Sequence, residues 1–478
     1  MTYYLDLFGC AKNQVDAENM SASLNRAGWT AAENPEDADI IIINSCGFIE
    51  SAKRESINAV LSWRKLCPEK KILLAGCLAQ RYTKELSTAL PEADGFFGNS
   101  DLSGIVEAAA LVCQRGTPVF NLGGGYGFGR AVGPKKTASG LRLRPDTGCV
   151  NSGERPLFSL PGSAYVKISE GCDNRCSFCA IPFIRGALKS RRVSDIMEEC
   201  KTLLERGIKE LCLIGQDLGS YGLDWPDDST AADDSAAELK GSGLPDLLEA
   251  LSRLKGNFWI RLLYIHPDHF PLDILGIIGR DKRFLPYFDI PFQHGSEKIL
   301  KAMNRRLNAG AYLDLIETIR RRLPDAVIRS TLMTGFPGET EEDFALLLDF
   351  QQKARLDWLG CFTYSREENT AAWSMKGRVA KKTAAERKRL LEKKQVPITE
   401  KQMDRFIGRA IDVLVEEKFE PIAGSGSDEG ELYLGRLPFQ APEVDSAAVI
   451  LSPQPLELGA MVPCRVIARR GFDMEVKL

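Results

Sequence analysis

Three thiols, Cys172, Cys176 and Cys179, fall within the run Glu170-Gly171-Cys172-Asp173-Asn174-Arg175-Cys176-Ser177-Phe178-Cys179. Zinc would ask for a fourth Cys or His nearby to close a tetrahedral site. The chain holds only three His, His266, His269 and His294, and none is close to the triplet in sequence. An iron–sulfur cubane suits the triplet better, because thiolates are its ordinary ligands and three of them leave one iron open. An open iron can bind a small molecule, whereas a fully ligated cluster mainly passes electrons. The plain alternative is three inert buried Cys, but unpaired thiols rarely bunch this way without a metal.

The elements that must position this loop are read from the apolar runs. Tyr165–Ser169 stands directly before it, and further strand-like runs follow at Glu210–Ile214, Phe258–Ile265, Phe284–Ile290, Val327–Met333 and Trp358–Tyr364. Helical patterns fall between them, as at Asp195–Glu205, Pro245–Leu254 and Glu341–Lys353. Alternation of this kind predicts a parallel sheet, six βα units of an incomplete barrel over residues 163–396, with reactive groups at the C-terminal strand ends. Those ends carry Gln216 after the second strand, Gln293-His294 after the fourth, and the turn Gly335-Phe336-Pro337-Gly338 after the fifth. His294 is either a proton-transfer group or a structural hydrogen-bonded residue. Arg185, Arg191 and Arg192 read as solvated cations or as partners for the carboxylate of a bound cofactor.

A second set of thiols is spread through residues 1–120. Strand-like runs Tyr3–Phe8, Ile40–Ser45 and Ile72–Gly76 are each followed by a Cys: Cys10, Cys46 and Cys77. Helices are predicted between them, from Val15 to Ala27 and from Ser51 to Leu66. Continuous Ile/Leu runs are what strands buried on both faces look like, and ligands gather beyond the carboxyl ends of such strands. The three Cys should therefore meet at one sheet edge and form a second open three-thiolate site. Cys67 and Cys113 lack this placement. Residues 121–162, with Cys149, read as a linker, and the acidic, Ser/Ala-rich stretch 224–243 as an insertion.

Together these motifs resemble the radical SAM methylthiotransferases. The triplet with an aromatic, Phe178, before its last Cys is similar to the superfamily signature. Gly9-Cys10-Ala11-Lys12-Asn13-Gln14-Val15-Asp16, Cys179-Ala180-Ile181-Pro182, Gln293-His294-Gly295-Ser296 and Tyr364-Ser365-Arg366-Glu367-Glu368 resemble the RimO branch rather than the tRNA-modifying MiaB branch. The resemblance implies two 4Fe–4S clusters, held by Cys172, Cys176 and Cys179 and by Cys10, Cys46 and Cys77. It also implies S-adenosylmethionine, with Phe178, Gln216, Gln293, Gly335 and Gly338 as candidates to line its pocket. The implied reaction adds a methylthio group to Cβ of an aspartate of ribosomal protein S-twelve, fed by an electron donor such as flavodoxin or ferredoxin. The alternatives are methylthiolation of a modified adenosine in tRNA, or a non-catalytic iron–sulfur electron carrier.

Composition bounds the rest. At 478 residues with 44% hydrophobic content the chain should hold several domains, an α/β protein overall. No apolar stretch approaches membrane-spanning length, no secretory leader is read, and thirteen Cys along a long chain argue for a reducing cytoplasm over a disulfide framework. A Lys/Arg/Glu-rich helix is predicted from 379 to 395, stopped by Pro397, and residues 397–478 read as a small antiparallel barrel that resembles a TRAM domain. From Ile398 to Leu478 there are 9 Lys and Arg against 14 Asp and Glu. Such a surface should repel RNA and suit a basic protein, such as one of the small ribosomal subunit.

Overall fold

The structure is a computed structural model that describes residues 1–114, 119–122, 154–225, 243–419 and 430–478. Most of the 121–162 linker, including Cys149, and most of the 224–243 insertion lie outside the described residues.

The N-terminal sheet has six parallel strands: β1 (Thr2–Leu7), β2 (Thr30–Ala31), β3 (Ile40–Ser45), β4 (Lys71–Gly76), β5 (Gly95–Phe97) and β6 (Val119–Leu122), in the order β2-β1-β3-β4-β5-β6. Successive side chains of β3 face opposite sides, and both sides are covered. Ile40 and Ile42 pack with Met20 and Leu24 of helix α1 (Ala11–Arg26), whereas Ile41 and Ile43 pack with Val60 of α2 (Glu50–Leu66) and Leu78 of α3 (Cys77–Ala89). A strand buried this way has no polar face to alternate, which is why its sequence reads as an unbroken apolar run. The reading found β1, β3 and β4; β2, β5 and β6 are too short to stand out.

The central sheet is also wholly parallel. Its strands are β7 (Ser163–Lys167), β10 (Glu210–Ile214), β11 (Trp259–Leu262), β12 (Phe284–Asp289), β13 (Val327–Thr334) and β14 (Trp358–Thr363), neighbours in sequence order, with a two-stranded ribbon of β8 (Ser169–Glu170) and β9 (Lys189–Ser190) beside the first. This is the expected open array of six βα units. One face packs on the helices; the other, with Tyr165, Trp259, Tyr287 and Trp358, packs on Leu414, Tyr433 and Phe439 of the C-terminal barrel.

That barrel closes in the order β15 (Ala410–Phe419), β16 (Glu431–Arg436), β17 (Ala448–Ser452), β19 (Asp473–Lys477) and β18 (Met461–Arg470). It is antiparallel except for the β17–β19 pair, which is parallel, and β17 was not anticipated. Buried ion pairs fasten it to the core: Arg436 holds Glu416 at 2.7 Å and also Glu210, which Arg261 meets at 2.7 Å.

Pro397 does not stop the preceding helix, which runs Lys381–Asp404. The proline is exposed, and so is Lys393, whose carbonyl loses its helical donor to the proline ring and meets water instead. The buried stripe Leu391, Gln395, Thr399 continues past it, tied down where Gln395 Nε2 donates to Leu356 O at 2.8 Å and Thr399 Oγ1 to Asp357 O at 2.8 Å. The boundary expected between 396 and 397 therefore falls inside a helix.

Candidate iron–sulfur and cofactor site

Cys10 caps the N-terminus of α1, Cys46 follows β3, and Cys77 opens α3. Sharp turns out of the strands require the glycines before two of them: Gly9 has φ +105° and Gly76 φ +92°. The three loops are in backbone contact. A Cβ on Gly9 would stand 3.1 Å from Cβ of Cys46, and one on Gly47 would stand 2.8 Å from the carbonyl oxygen of Cys77. Asn13 crosslinks them, with Nδ2 donating to Phe8 O at 3.0 Å and Ser45 O at 2.9 Å while Oδ1 accepts from Cys77 Sγ at 3.1 Å. The predicted convergence of Cys10, Cys46 and Cys77 is thus what the fold produces.

The second trio sits on the loop after β8. Its shape is set locally, by Cys172 N donating to Gly186 O at 3.2 Å and Cys179 N to Cys176 O at 3.0 Å. It is set from across the mouth by Ser177, whose N donates to Met303 O at 3.1 Å and whose Oγ donates to Ala302 O at 2.7 Å. Cys176 Sγ lies 3.8 Å from His266 Nε2, but that nitrogen is bonded to Arg305 Nη1 at 2.5 Å, so the ring is not a free fourth ligand. Burial, then the charge of Arg305, pushes the His266 pKa down to about 2.

Burial raises the thiols, Cys172 to about 11 and Cys77 and Cys179 to about 12, with Cys46 and Cys176 raised as well. Cys10 departs from this. Its residue surface is exposed, yet its thiol is desolvated enough to be pushed up, and the facing Lys12 and Arg185 outweigh that and lower it. Among the described residues no three acidic, His or Cys groups are spaced for a single metal ion. A cubane spreads three thiolates over three separate irons, so each trio, lacking a fourth donor, suits a cluster with one open corner.

The two trios adjoin. Cys77 packs against Ala180 and Ile184, the residues that lead from Cys179 into the short helix Ile181–Arg185. Arg185, an expected partner for a cofactor carboxylate, is committed to this junction instead. Its Nη2 donates to Asn13 Oδ1 at 2.6 Å, Asp16 Oδ2 at 2.9 Å and Cys77 Sγ at 3.3 Å, and its Nη1 to Glu170 Oε1 at 3.0 Å. Lys167 bridges Asp16 at 2.6 Å and Glu170 at 2.7 Å. Arg191 is likewise taken, by Glu199 at 2.6 Å.

Of the expected pocket residues, Gln216 donates from Nε2 to Glu170 Oε1 at 2.9 Å, and its Oε1 is buried without a partner among the described residues, as is Oε1 of Gln293. Gln293 holds φ +69°, uncommon outside glycine, at the end of its strand. Gly335 and Gly338 take φ +77° and +84° in a turn whose Glu339 carboxylate accepts from the Gly335 and Phe336 amides. Phe178 is partly buried against the apolar cluster of Ile299, Met303, Phe336 and Ala372. His294 is fully buried: its Nδ1 accepts from Ser296 N at 2.9 Å, and its Nε2, 3.9 Å from Glu339, has no hydrogen-bond partner among the described residues. Nothing in the sequence marks Lys12, Asn13, Asp16 and Glu170 individually as functional. Their presence in the strings that flank Cys10 and Cys172 was the available signal.

Comparison with known sequences bears on this geometry. Residues 2–98 match the uncharacterized protein family UPF0004, residues 166–350 the radical SAM superfamily, and residues 407–478 the TRAM domain. A ribosomal protein uS12 methylthiotransferase RimO of Treponema denticola is 48% identical, covering 98% of this chain and 99% of its own. The chain belongs to the RimO family. RimO proteins of Syntrophomonas wolfei and Thermotoga maritima are 38% and 37% identical, covering 98% and 93% of this chain and 97% and 93% of theirs. Among solved structures, the radical S-adenosylmethionine methyltransferase TsrM of Kitasatospora setae shares the fold at TM-score 0.53 and 13% identity, over 77% of this chain and 72% of that one. As a RimO family member with a radical SAM domain, the protein is a radical methylthiotransferase that works with S-adenosylmethionine and 4Fe–4S chemistry. Among the described residues no helix is long and apolar enough to cross a membrane.

Proposed function

We propose that this protein adds a methylthio group to Cβ of an aspartate of uS12, using two 4Fe–4S clusters. Cys172, Cys176 and Cys179 would hold one, and Cys10, Cys46 and Cys77 the other. The observation that carries this reading is the junction itself, where Cys77 packs on Ala180 and bonds Arg185, so that the two thiol sets adjoin. An unactivated C–H bond offers no acidic proton, so general acid–base groups cannot open it. Bound there with S-adenosylmethionine, the clusters would supply both a carbon-centred radical to remove hydrogen and a methylated sulfur to replace it.

The residues around the cleft have definable tasks. Gln216 and Gln293 offer unpartnered carbonyl oxygens at the strand ends, suited to a polar cofactor. Arg185, Lys167, Asp16 and Glu170 lock the N-terminal domain onto the core, and on the far side Glu367 accepts from Lys53 at 3.0 Å and Arg81 at 2.7 Å. Excluding water from the space between the thiol sets would limit quenching of a radical. The acidic C-terminal barrel supports a basic protein partner over RNA, and the unpaired thiols suit a cytoplasmic setting with flavodoxin or ferredoxin as electron source.

Anaerobic assays of the reconstituted enzyme with uS12 and, separately, with tRNA test the reading. Product on a uS12 aspartate is expected; product from tRNA alone would overturn it.

A further inference from the structure

Lys12 stands two residues beyond Cys10 in the first turn of α1, and the residue is 8% exposed. Buried cations in this molecule hold carboxylates. Among the described residues, Arg155, Lys167, Arg185, Arg191, Arg261, Arg387 and Arg436 each do, and Arg305 is bonded to the His266 ring. Lys12 has neither. Its Nζ lies 3.3 Å from the centroid of the Tyr264 ring, and no carboxylate of the described residues comes within ion-pair distance.

Tyr264 is built to be there. It follows β11 with φ +71°, a conformation that non-glycine residues seldom take, and its carbonyl accepts from Leu218 N at 2.9 Å. An aromatic face steadies an ammonium without neutralising it and leaves its N–H donors open to an anion. The pair therefore forms a cationic site with no carboxylate in contact, between the Cys10 thiol that Lys12 faces and the strand ends of the central sheet.

We infer that Lys12, seated on Tyr264, binds the side-chain carboxylate of the substrate aspartate. The inference rests on the proposed function, which puts the reacting carbon one bond from that carboxylate. Fixing the carboxylate beside Cys10 would hold Cβ between the two thiol sets, where hydrogen has to leave and sulfur has to arrive. It would also make the site selective for an acid over its amide, since a buried ammonium left facing an amide forfeits a charge-assisted bond.

The test compares uS12 with the target aspartate intact and replaced by asparagine, against the reconstituted wild-type enzyme and Lys12→Met. Binding is read as Kd by fluorescence anisotropy, alongside the iron content of each variant. Wild type should bind the aspartate form about ten- to a hundred-fold more tightly than the asparagine form. Lys12→Met should bind both forms equally weakly at unchanged iron content, and Lys12→Arg should recover part of the preference. Equal wild-type binding of the two forms would overturn the inference whether or not Lys12→Met folds, as would a preference that survives in Lys12→Met. Absence of methylthiolated uS12 with wild type would instead overturn the functional reading, and this inference with it.

Discussion

The two thiol trios reach the same arrangement by opposite routes. Cys172, Cys176 and Cys179 lie in one short loop, shaped by hydrogen bonds from Cys172 N to Gly186 O and from Cys179 N to Cys176 O and pinned through Ser177 to Ala302 and Met303. Cys10, Cys46 and Cys77 come from three strand ends and meet only because β1, β3 and β4 are neighbours in one parallel sheet. A local site depends on its own residues. A dispersed site depends on every contact that keeps three loops in register, including residues that touch no metal.

Ligand removal should separate the two most sharply. Cys176→Ala is expected to lose about half the iron and all release of 5′-deoxyadenosine, whereas Cys46→Ala should also lose about half the iron yet still cleave S-adenosylmethionine while inserting no sulfur. Iron counting with product analysis checks both, and sulfur insertion by Cys46→Ala would remove the Cys10, Cys46 and Cys77 trio from the mechanism.

The next prediction concerns a residue that is no ligand. In Gly47→Ala the new methyl would meet the Cys77 carbonyl oxygen and the Leu78 Cα at 2.8 Å, backbone atoms that cannot step aside alone. Iron at the dispersed trio should fall while the local trio keeps its own, which spectroscopy of the two clusters would resolve. Equal loss at both sites would mean that the trios are not independent.

Asn13→Ala should act more mildly. It strips the donors from Phe8 O and Ser45 O, and the apoprotein should lose about 2–4 kcal/mol in denaturant unfolding. Asn13→Asp should be worse for cluster uptake than for stability, because a carboxylate would replace the amide beside Cys77.

This contrast also explains what was legible in the sequence. The local trio needed no fold to be recognised. The dispersed trio was readable because β3 and β4 are buried on both faces and so write unbroken Ile/Leu runs, each ending at a Cys. Arg185 was misread because nothing in a one-dimensional string shows that Asp16 and Glu170 will close on it across a domain junction. Pro397 misled for a related reason: a proline ends a helix only if the lost bond is not replaced, and here the solvent-facing side of a well-packed helix tolerates it. The strands β2, β5 and β17 were hidden by brevity or by the turns that flank them, and are held by pairing to stronger neighbours.

The central claim is that two cubanes face each other across one junction. Crystals of the anaerobically reconstituted protein, measured at the iron absorption edge, test it most directly. Two separate iron peaks are predicted, one within bonding reach of Cys10, Cys46 and Cys77 and the other of Cys172, Cys176 and Cys179. A single peak at Cys172, Cys176 and Cys179, in protein that still methylthiolates uS12, would contradict the account.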